Sequence, residues 1–359
     1  MRARDPGVEV ECLDALAEVP GFRRAYAATY LLLVQRLAGI WALGFRLLDA
    51  EAVYRIVQPL RRRWNLWIAR RFVARVRARQ PDAVLATHFL PADVCAAGRE
   101  AGWLSGPLIV VVTDLFPHRF WIAPRADAMI AGTADSAQLL RARGIEPSRI
   151  HALGIPIGGV FGAAPDPAAL RARFALDPER QTILVTSGGT TVGRFERVVA
   201  ALQGLEARLP SRLQLLVVCG ENRRAAARLS AQAASSAMPV RVFGFVDYMA
   251  DLMAISDLIV CKAGGLTISE ALSHGLPIVL YHIIPGQEQL NAAYVARQGA
   301  ALIARQPDEA AEVVAGLLQE PPRLSAMRQA AAALRHPDAA RRIVDEVLMP
   351  LIAQREGRR

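Results

Sequence analysis

Short apolar runs that end in polar residues alternate with amphipathic stretches along most of this chain. The first half holds three such runs, at 83–87, 108–113 and 128–131. The second half holds six, at 182–187, 215–219, 240–243, 258–261, 277–281 and 300–303. Continuous apolar runs of this length are typical of parallel strands that are buried on both faces. Helical periodicity fills the intervals at 193–206, 223–234, 249–255, 266–273, 289–298 and 308–318. The pattern predicts an α/β protein with doubly wound parallel sheets.

A segment rich in glycine and proline, 154–159, separates the two sets of runs. The chain has 359 residues, a length that suits two domains. We therefore predict a first Rossmann-like domain over 1–157 and a second over 158–337, followed by a helical segment at 338–359 that could cross back to the first domain. Because ligands bind at the carboxyl ends of parallel strands, two such domains would face a central cleft.

The composition excludes a disordered chain, because 53% of the residues are hydrophobic and 21% are charged. Lys and Arg total 43 against 33 Asp and Glu, a net charge of +10, and Lys262 is the single lysine. The four cysteines, at 12, 95, 219 and 261, have apolar neighbours and no metal-binding spacing. This predicts small buried side chains in a reducing compartment. The acidic first 20 residues lack the apolar core of a secretory signal, so we expect cytosolic topology.

The most apolar window, 30–48, contains Gln35, Arg36 and Arg46, and its uninterrupted part is too short to cross about 30 Å of hydrocarbon. We therefore predict no transmembrane helix. Downstream, 52–81 holds nine arginines and no acidic residue. A cationic helix with interleaved tryptophans fits the surface of an anionic bilayer. The residues that we assign to such a surface are Trp41, Arg61, Arg62, Arg63, Trp64 and Trp67.

Two other interpretations of this basic stretch stay open. It can be a solvated helix face, or it can neutralise the phosphates of a nucleic acid. The apolar window just upstream favours the membrane surface, because a nucleic-acid groove has no need of it. We expect a peripheral protein on the cytoplasmic face of the cell membrane that binds no nucleic acid.

Two glycine turns each follow a predicted strand and precede a predicted helix. The first is SGGTT at 187–191, and the second is KAGGL at 262–266. Glycines let the backbone approach a phosphate, and the helix that follows offers free N–H groups and the positive end of its dipole. Glu270 lies one turn beyond Thr267, where a carboxylate can accept two ribose hydroxyls. A plain tight turn at the first position and a Thr267–Glu270 capping box at the second are the alternatives.

Polar residues follow other predicted strands as well. Gln287 and Glu288 come after 277–281 and carry groups that suit sugar hydroxyls. His88, Asp114 and His118 follow two strands of the first half, and Asp and His are the usual types for deprotonating a hydroxyl. A helix-capping role for Asp114 stays open. No D-x-D spacing and no His/Cys cluster occurs, so we expect neither a metal nor another cofactor. Positive charge for a leaving diphosphate would then come from helix N-termini and from Lys262.

With these motifs in place, the chain resembles the lipid glycosyltransferases of glycosyltransferase family 28. The similarity lies in the branch of monogalactosyldiacylglycerol synthases and processive diacylglycerol glucosyltransferases. It is carried, from residue 88 to about 304, by TDLFPHRFW, GIPI, TSGG, VVCGEN, FGFVDYMADLMAISDLIVCKAGGLTISEAL and IIPGQEQLNA. The resemblance implies a GT-B fold. It also implies inverting, metal-independent transfer of a hexose from a UDP-sugar to diacylglycerol or a related membrane lipid.

The resemblance also implies roles for the residues that match. Glu270 would hold the ribose, and the backbone of Phe245 and Val246 would frame the uracil. Gln287 and Glu288 would face the donor sugar. The diphosphate would be lined by Gly188, Gly189, Gly264, Gly265 and Thr267, and the predicted UDP-sugar site is completed by Ser187, Gly220 and Lys262.

In one respect the sequence departs from the family pattern. Family members begin with a strand and a glycine-rich loop, usually ending in His, that faces the acceptor. This sequence opens at 8–14 with VEVECLD, which resembles the second strand of that pattern, so we expect the first strand–loop unit to be missing. Two alternative functions stay open: transfer to an isoprenoid-linked or glycolipid acceptor, and a truncated, non-catalytic membrane protein that binds a nucleotide sugar. The residues do not distinguish galactose, glucose and glucuronate as the donor sugar.

Overall fold

The computed structural model describes residues 7–15, 37–163, 165–188, 194–209 and 212–357. These residues form two compact units. The first contains the described residues up to Pro156, together with 285–287 and the segment from Asp338 onward. The second contains Ile157–Ile284 and Glu288–Pro337.

Three helices lead into the sheet of the first unit: α1 (Ala38–Asp49), α2 (Glu51–Ile68) and α3 (Arg70–Arg79). Strands and helices then alternate as β1 (Val84–Ala86), α4 (Phe89–Glu100), β2 (Leu108–Val111), β3 (Ala128–Ala131), α5 (Ala134–Ala142) and β4 (Ile150–Ala152). All four strands are parallel and follow one another in the order β1-β2-β3-β4. The sequence pattern did not predict β4, because only Ile150 of its three residues is buried.

The second unit repeats the alternation around a larger sheet. Its elements are α6 (Pro167–Arg173), β5 (Gln181–Thr186), α7 (Phe195–Gln203), β6 (Leu213–Val218), α8 (Arg223–Ala233), β7 (Val240–Phe243), α9 (Met249–Ala254), β8 (Leu258–Cys261), α10 (Gly265–Ser273), β9 (Ile278–Tyr281), α11 (Gln287–Arg297), β10 (Ala301–Ala304), α12 (Pro307–Gln319) and α13 (Pro321–Ala333). The six strands are parallel, in the order β10-β9-β8-β5-β6-β7. The chain therefore builds outward from β5 in both directions, which creates a topological switch point between β5 and β8.

The last helical segment returns to the first sheet. It consists of α14 (Ala339–Arg342), a π-helical stretch (Ile343–Leu348) and α15 (Met349–Glu356). Its buried side chains pack against alternate residues of β2 and β3, among them Ile109 and Ile130. The intervening residues, such as Val110 and Met129, pack on the opposite face with α4. Because both faces of these strands are covered, their sequences are continuously apolar.

Two expectations for the first residues are wrong. Residues 8–14, interpreted as a strand, form no strand in the described structure. Alternating Val and Glu gives a strand-like period, but Val10 is 37% exposed and lacks the burial that would select a strand. Cys12 is exposed, whereas Cys95, Cys219 and Cys261 are buried as predicted. Among the described helices, none combines the length and the apolarity that a membrane crossing requires.

Candidate active site

The switch point of the second sheet brings together the two glycine turns that the sequence analysis selected. Ser187 and Gly188 follow β5 directly, and Lys262 follows the neighbouring strand β8. In parallel sheets of this kind, ligands bind outside the carboxyl ends of the strands at such a point. The local fold therefore places both turns at one edge of the second sheet. Gly189 lies outside the described residues.

Gly188 and Gly264 leave room for a ligand next to the backbone. Gly188 has a φ of +76°, which favours glycine, and a Cβ built at either position would meet no atom within 4 Å. Gly264 precedes α10, and it provides no side-chain cap for the first N–H groups of that helix. Gly265 is buried at the first helical position, and Thr267 is half-buried in the first turn. The N-terminus of α10 thus has the properties of an anion-binding site.

Ser187 is buried and fixed, so its side chain serves the framework of the turn. It is 1% exposed, and the hydroxyl of Tyr281 on β9 hydrogen-bonds with it. The same Tyr281 hydroxyl lies 3.4 Å from the carbonyl oxygen of Thr186. Gly188 in turn donates its N–H to Oγ1 of Thr186 at 3.3 Å. These contacts hold the start of the first glycine turn.

Glu270 lies on α10 and carries a carboxylate in an unusual state. Burial raises the pKa of Glu270 from 4.5 to about 7. Among the residues that the structure describes, no cation or hydrogen-bond donor contacts this carboxylate. A partly buried acid without a protein partner costs stability, and such groups are concentrated at functional sites. Glu270 therefore has the character of a ligand-binding group and does not form a capping box with Thr267.

Lys262 and Glu288 form a second polar group in the second unit. The Lys262 ammonium lies 3.9 Å from Oε1 of Glu288, and both side chains are largely buried. Oε2 of Glu288 accepts the N–H of Ile284 at 3.0 Å. Burial raises the pKa of Glu288, and the charge of Lys262 opposes this shift. The pair places one cation beside the turn that follows β8.

Asn291 positions the same turn. Its side chain is 1% exposed, and its Nδ2 donates to the carbonyl oxygen of Ala263 at 3.0 Å. Ala263 lies between Lys262 and Gly264, so this hydrogen bond fixes the path of the glycine turn.

The side chain of Gln287, which was predicted to face the donor sugar, forms a hydrogen bond within the first unit. Its Nε2 donates to the carbonyl oxygen of Phe116 at 2.5 Å.

The ends of β6 and β7 carry the residues predicted to frame a base. Gly220 has a φ of +56°, and its carbonyl oxygen lies 3.8 Å from the position of a Cβ on Gly244. Phe245 follows directly and is 74% exposed, although it is a large apolar side chain. Val246 is half-buried. This pair of strand ends thus presents an uncovered apolar side chain beside a glycine backbone.

In the first unit, His88 and Asp114 lie at the ends of neighbouring strands. His88 comes two residues after β1, and Asp114 follows β2, with Thr113 Oγ1 3.5 Å from the carbonyl oxygen of Thr87. His88 caps α4, since its Nδ1 accepts the N–H of Leu90 at 3.2 Å. Burial lowers the pKa of His88, so the ring is neutral at pH 7 with its proton on Nε2.

His118 is held by both ring nitrogens. Its Nδ1 accepts the N–H of Phe120 at 3.2 Å, and its Nε2 donates to the carbonyl oxygen of Phe45 at 3.0 Å. Burial lowers the pKa of His118, and the ring packs 4.5 Å from the ring of Phe45. Both ring nitrogens thus have partners within the first unit, and these contacts support a structural role. The catalytic assignment of His118 stays a prediction.

Three of the residues predicted to face a membrane are engaged inside the first unit. Arg61 has 11% of its side chain exposed, lies 3.6 Å from the Asp93 carboxylate and stacks over Phe120 at 4.3 Å. Arg62 pairs with Glu100 at 2.8 Å. Trp41 donates its indole N–H to the carbonyl oxygen of Pro285 at 3.0 Å. Arg61 and Arg62 therefore lie on the side of α2 that contacts α4, and Trp41 on α1 contacts Pro285. The assignment of these three residues to a membrane surface stays a prediction.

The other side of α1 and α2 is apolar and uncovered. We call it the exposed apolar face, and its members are between 49% and 74% exposed: Ile40, Leu43, Leu47, Ile56, Leu60, Trp64 and Trp67. Arg63 is exposed on α2, and the guanidinium of Arg70 lies 5.6 Å from the Trp67 ring. Contiguous exposed apolar surface with flanking cations marks an interaction site.

Two polar clusters of the first unit, one buried around Asp93 and one half-buried around Asp49, have no counterpart among the predicted site residues. Asp93 accepts hydrogen bonds from Gln58 at 3.0 Å and from Asn65 at 2.7 Å. Asp49 accepts from Arg143 at 2.6 Å and from the N–H of Arg119 at 2.8 Å. The hydrogen-bonded residues of these clusters are 28 to 94 positions apart in sequence, so no local pattern predicts the contacts. In the described part of the chain, no three His, Cys, Asp or Glu side chains are grouped so as to hold a metal ion.

Comparison with known proteins gives each unit a counterpart. Residues 182–343 match the glycosyltransferase family 28 C-terminal domain, and residues 2–157 match the monogalactosyldiacylglycerol (MGDG) synthase domain. A processive diacylglycerol beta-glucosyltransferase of Bacillus cereus is 29% identical over 76% of this chain and 69% of its own length. The corresponding protein of Bacillus cytotoxicus is 29% identical over 78% of this chain and 70% of its own.

Solved structures confirm the fold class. MurG of Acinetobacter baumannii is similar with a TM-score of 0.56 at 18% identity, over 77% of this chain and 76% of that one. UDP-GlcNAc 2-epimerase of Neisseria meningitidis, solved with UDP-GlcNAc, has a TM-score of 0.59 at 15% identity, over 77% of this chain and 79% of that one. The predicted GT-B architecture of two Rossmann-like domains is thus confirmed. The second unit thus carries a glycosyltransferase family 28 C-terminal domain and the first unit an MGDG synthase domain, and the relatives that align with most of the chain are diacylglycerol glucosyltransferases.

Proposed function

We propose that this protein transfers a hexose from a UDP-sugar to diacylglycerol or a related membrane lipid, with inversion at the anomeric carbon and without a metal ion. The observation that carries the proposal is Glu270, an unpartnered and partly buried carboxylate one turn beyond the KAGG turn at the switch point. A carboxylate in that position suits the two hydroxyls of a ribose. The curated relatives, which are named as diacylglycerol glucosyltransferases, support the reaction class.

The remaining donor contacts follow from the strand ends of the second sheet. The N-terminus of α10 and the backbone at Gly188 and Gly264 would hold the diphosphate, with Lys262 as the nearby cation. Phe245, which is 74% exposed without ligand, would pack against the uracil. Covering this side chain on donor binding removes apolar surface from water and stabilises the complex.

Asp114 is the group that we assign as general base. The lipid hydroxyl attacks the anomeric carbon and gives its proton to Asp114, while the bond from that carbon to the diphosphate oxygen breaks and UDP leaves with the electron pair. One displacement inverts the configuration. We do not assign this role to His118, because both of its ring nitrogens form hydrogen bonds within the first unit. His88, which is neutral and lies after the neighbouring strand β1, would orient the acceptor by a hydrogen bond.

Charge on the leaving UDP is stabilised by fixed groups of the chain. The dipole of α10 and the ammonium of Lys262 would supply positive charge beside the diphosphate. These groups are already in place before the reaction, so they need no reorganisation as the charge develops. This is the physical basis for proposing transfer without a metal.

The exposed apolar face would bring the acceptor within reach by binding the bilayer surface. Its tryptophans and aliphatic side chains would enter the interface, while Arg63 and the neighbouring exposed arginines approach anionic headgroups. Each cation near such a surface contributes about 1 kcal/mol. We propose a peripheral location on the cytoplasmic face of the membrane.

The experiment is a transfer assay with the full chain, UDP-glucose and vesicles that contain diacylglycerol. We expect release of UDP together with a β-linked glycolipid, identified by the coupling constant of the anomeric proton. Asp114→Asn should lower kcat at least 100-fold, whereas Asp82→Asn, whose side chain is 81% exposed, is the matched control. An α-linked product, or equal activity of the two variants, would contradict the assignment of mechanism.

A further inference from the structure

A cavity of about 220 Å³ opens in the second unit, and apart from Tyr281, whose hydroxyl holds the first glycine turn, its lining residues are not assigned to the donor site. It lies where β9 and β10 end and where α7 and α12 begin. It is lined by Arg194, Tyr281, His282, Arg305, Gln306 and Pro307. Sheet order places this cavity beyond β8, on the side away from β6 and β7.

Two arginines give the lining of this cavity positive charge. Arg194 and Arg305 are exposed, and neither forms an ion pair with a carboxylate among the described residues. Elsewhere in the unit, by contrast, Arg208 pairs with Glu312 and Arg228 with Glu196, both at 2.5 Å. The Arg194 guanidinium instead donates to Oε1 of Gln306 at 3.2 Å. Two guanidinium groups therefore face one cavity, and neither is ion-paired with a carboxylate of the described residues.

Two helices begin at the same place. Arg194 precedes α7 and Gln306 precedes α12, and neither residue caps its helix with a side-chain hydrogen bond. The positive ends of both dipoles add to the field of the two arginines. The first-turn acid Glu196 is paired with Arg228, and Glu309 accepts the N–H of Arg305 at 2.6 Å. The other first-turn acid, Asp308, does not line the cavity.

The conformation and the pKa of His282 give separate evidence for positive charge at this cavity. It has a φ of +46°, a left-handed conformation that costs a non-glycine residue energy and that turns the chain directly after β9. Burial, followed by the charges of Lys262 and Arg194, lowers the pKa of His282. Its ring is thus a neutral hydrogen-bonding group among cations, and Lys262 links the cavity electrostatically to the donor turn.

We propose that this cavity binds a single oxyanion group, a carboxylate or a phosphate, through Arg194, Arg305 and His282. Two guanidinium groups and an imidazole offer the directional donors that such a group requires. The source of the group rests on the proposed function. Because the cavity neighbours the end of β8, the group is either a carboxylate on the donor hexose, as in UDP-glucuronate, or the phosphate of an anionic lipid headgroup.

The first test uses inorganic phosphate and the full chain. Isothermal titration should show phosphate binding that weakens at least tenfold in Arg305→Gln and in Arg194→Gln. Arg224→Gln, at an exposed arginine of α8 that does not line the cavity, is the matched control and should bind phosphate like the unchanged protein. Equal phosphate affinity in R305Q and R224Q overturns the proposal. Thermal unfolding of each variant reports whether the fold is retained.

Two further experiments decide whether the bound group belongs to the donor sugar or to a lipid headgroup. If the group is on the donor, R305Q lowers kcat/KM for UDP-glucuronate at least tenfold and leaves kcat/KM for UDP-glucose unchanged. If it is on the lipid, R305Q removes the stimulation of transfer by phosphatidylglycerol vesicles over phosphatidylcholine vesicles, with either donor. UDP affinity should be equal in all variants. Absence of UDP binding would instead refute the proposed function, while the phosphate titration still decides the cavity.

Discussion

The raised pKa of Glu270 makes the proposed donor affinity depend on pH in a defined direction. With a pKa of about 7, the carboxyl group is half ionised at neutral pH in the free protein. Ribose hydroxyls donate to a carboxylate more strongly than to a carboxylic acid, so binding favours the ionised form. If only that form binds, affinity should rise about tenfold between pH 6 and pH 8. One proton is released per binding event at low pH.

The same shift predicts the stability of the free protein. When the pKa of a carboxyl group is higher in the folded state than in the unfolded state, ionisation of that group destabilises the folded protein. The free energy of unfolding should therefore fall as pH rises from 4.5 toward and through about 7. From pH 6 to pH 8 the loss is about 1.4 kcal/mol. Glu270→Gln removes this loss, so the variant should be the more stable protein at pH 8.

The assay is isothermal titration with UDP-glucose at pH 6, 7 and 8, for the unchanged protein and for Glu270→Gln. UDP-glucose suits the purpose because its diphosphate diester does not titrate in this range. The variant should bind more weakly at pH 8, with little dependence on pH. His282 does not imitate the effect, since its protonation at low pH would strengthen the binding of an anion.

Two results would refute this reasoning. Affinity that is flat from pH 6 to pH 8 in the unchanged protein would show that ionisation of Glu270 plays no part in binding. An equal slope in Glu270→Gln would assign the titration to another group. Thermal unfolding over the same range provides the independent check on the pKa itself.

Three other expectations follow from the structure. Changing Trp64 and Trp67 together to Ala should reduce co-sedimentation with anionic vesicles at least tenfold, whereas Val160→Ala, at an exposed apolar residue of the second unit, should not. Asp93→Ala should lower the free energy of unfolding by about 3–5 kcal/mol, because it leaves the polar side chains of Gln58 and Asn65 without their acceptor. The control Glu100→Ala should lower it by less than about 1 kcal/mol, both measured by denaturant titration. Transfer activity should survive EDTA, and its abolition with recovery on adding magnesium would contradict a metal-free mechanism.

Most strands of the two sheets could be predicted, because a strand that is buried on both faces is continuously apolar in sequence. Strand β4, with one buried residue, could not. The runs at 128–131, 240–243 and 258–261 coincide with β3, β7 and β8. No local pattern in the sequence predicts the order of the strands in the second sheet, and this order determines where the switch point lies. The glycine turns and Glu270 could be named from sequence, since strand, turn and helix follow one another directly there.

Side-chain partners could not be predicted in the same way. Arg61 and Arg63 look equivalent in a basic stretch, but one packs on Phe120 and the other is exposed, because α2 has one face against α4. The engagement of His118 depends on Phe45, which lies 73 residues earlier in the chain. The cavity at Arg194 and Arg305 joins residues over 100 apart, as the Arg194–Gln306 hydrogen bond shows.

The packing of Ile343, Val347 and Leu348 on the first sheet has a consequence for synthesis. At translation rates of about 5–20 residues per second, Ile343 leaves the ribosome roughly 10–40 s after Ile130, the residue that it helps to cover. During that interval one apolar face of β2 and β3 has no partner, while the second unit, almost continuous in sequence, can complete its own core. The nascent first unit therefore exposes an apolar sheet face until the end of synthesis, and such a surface is prone to aggregation without chaperone protection.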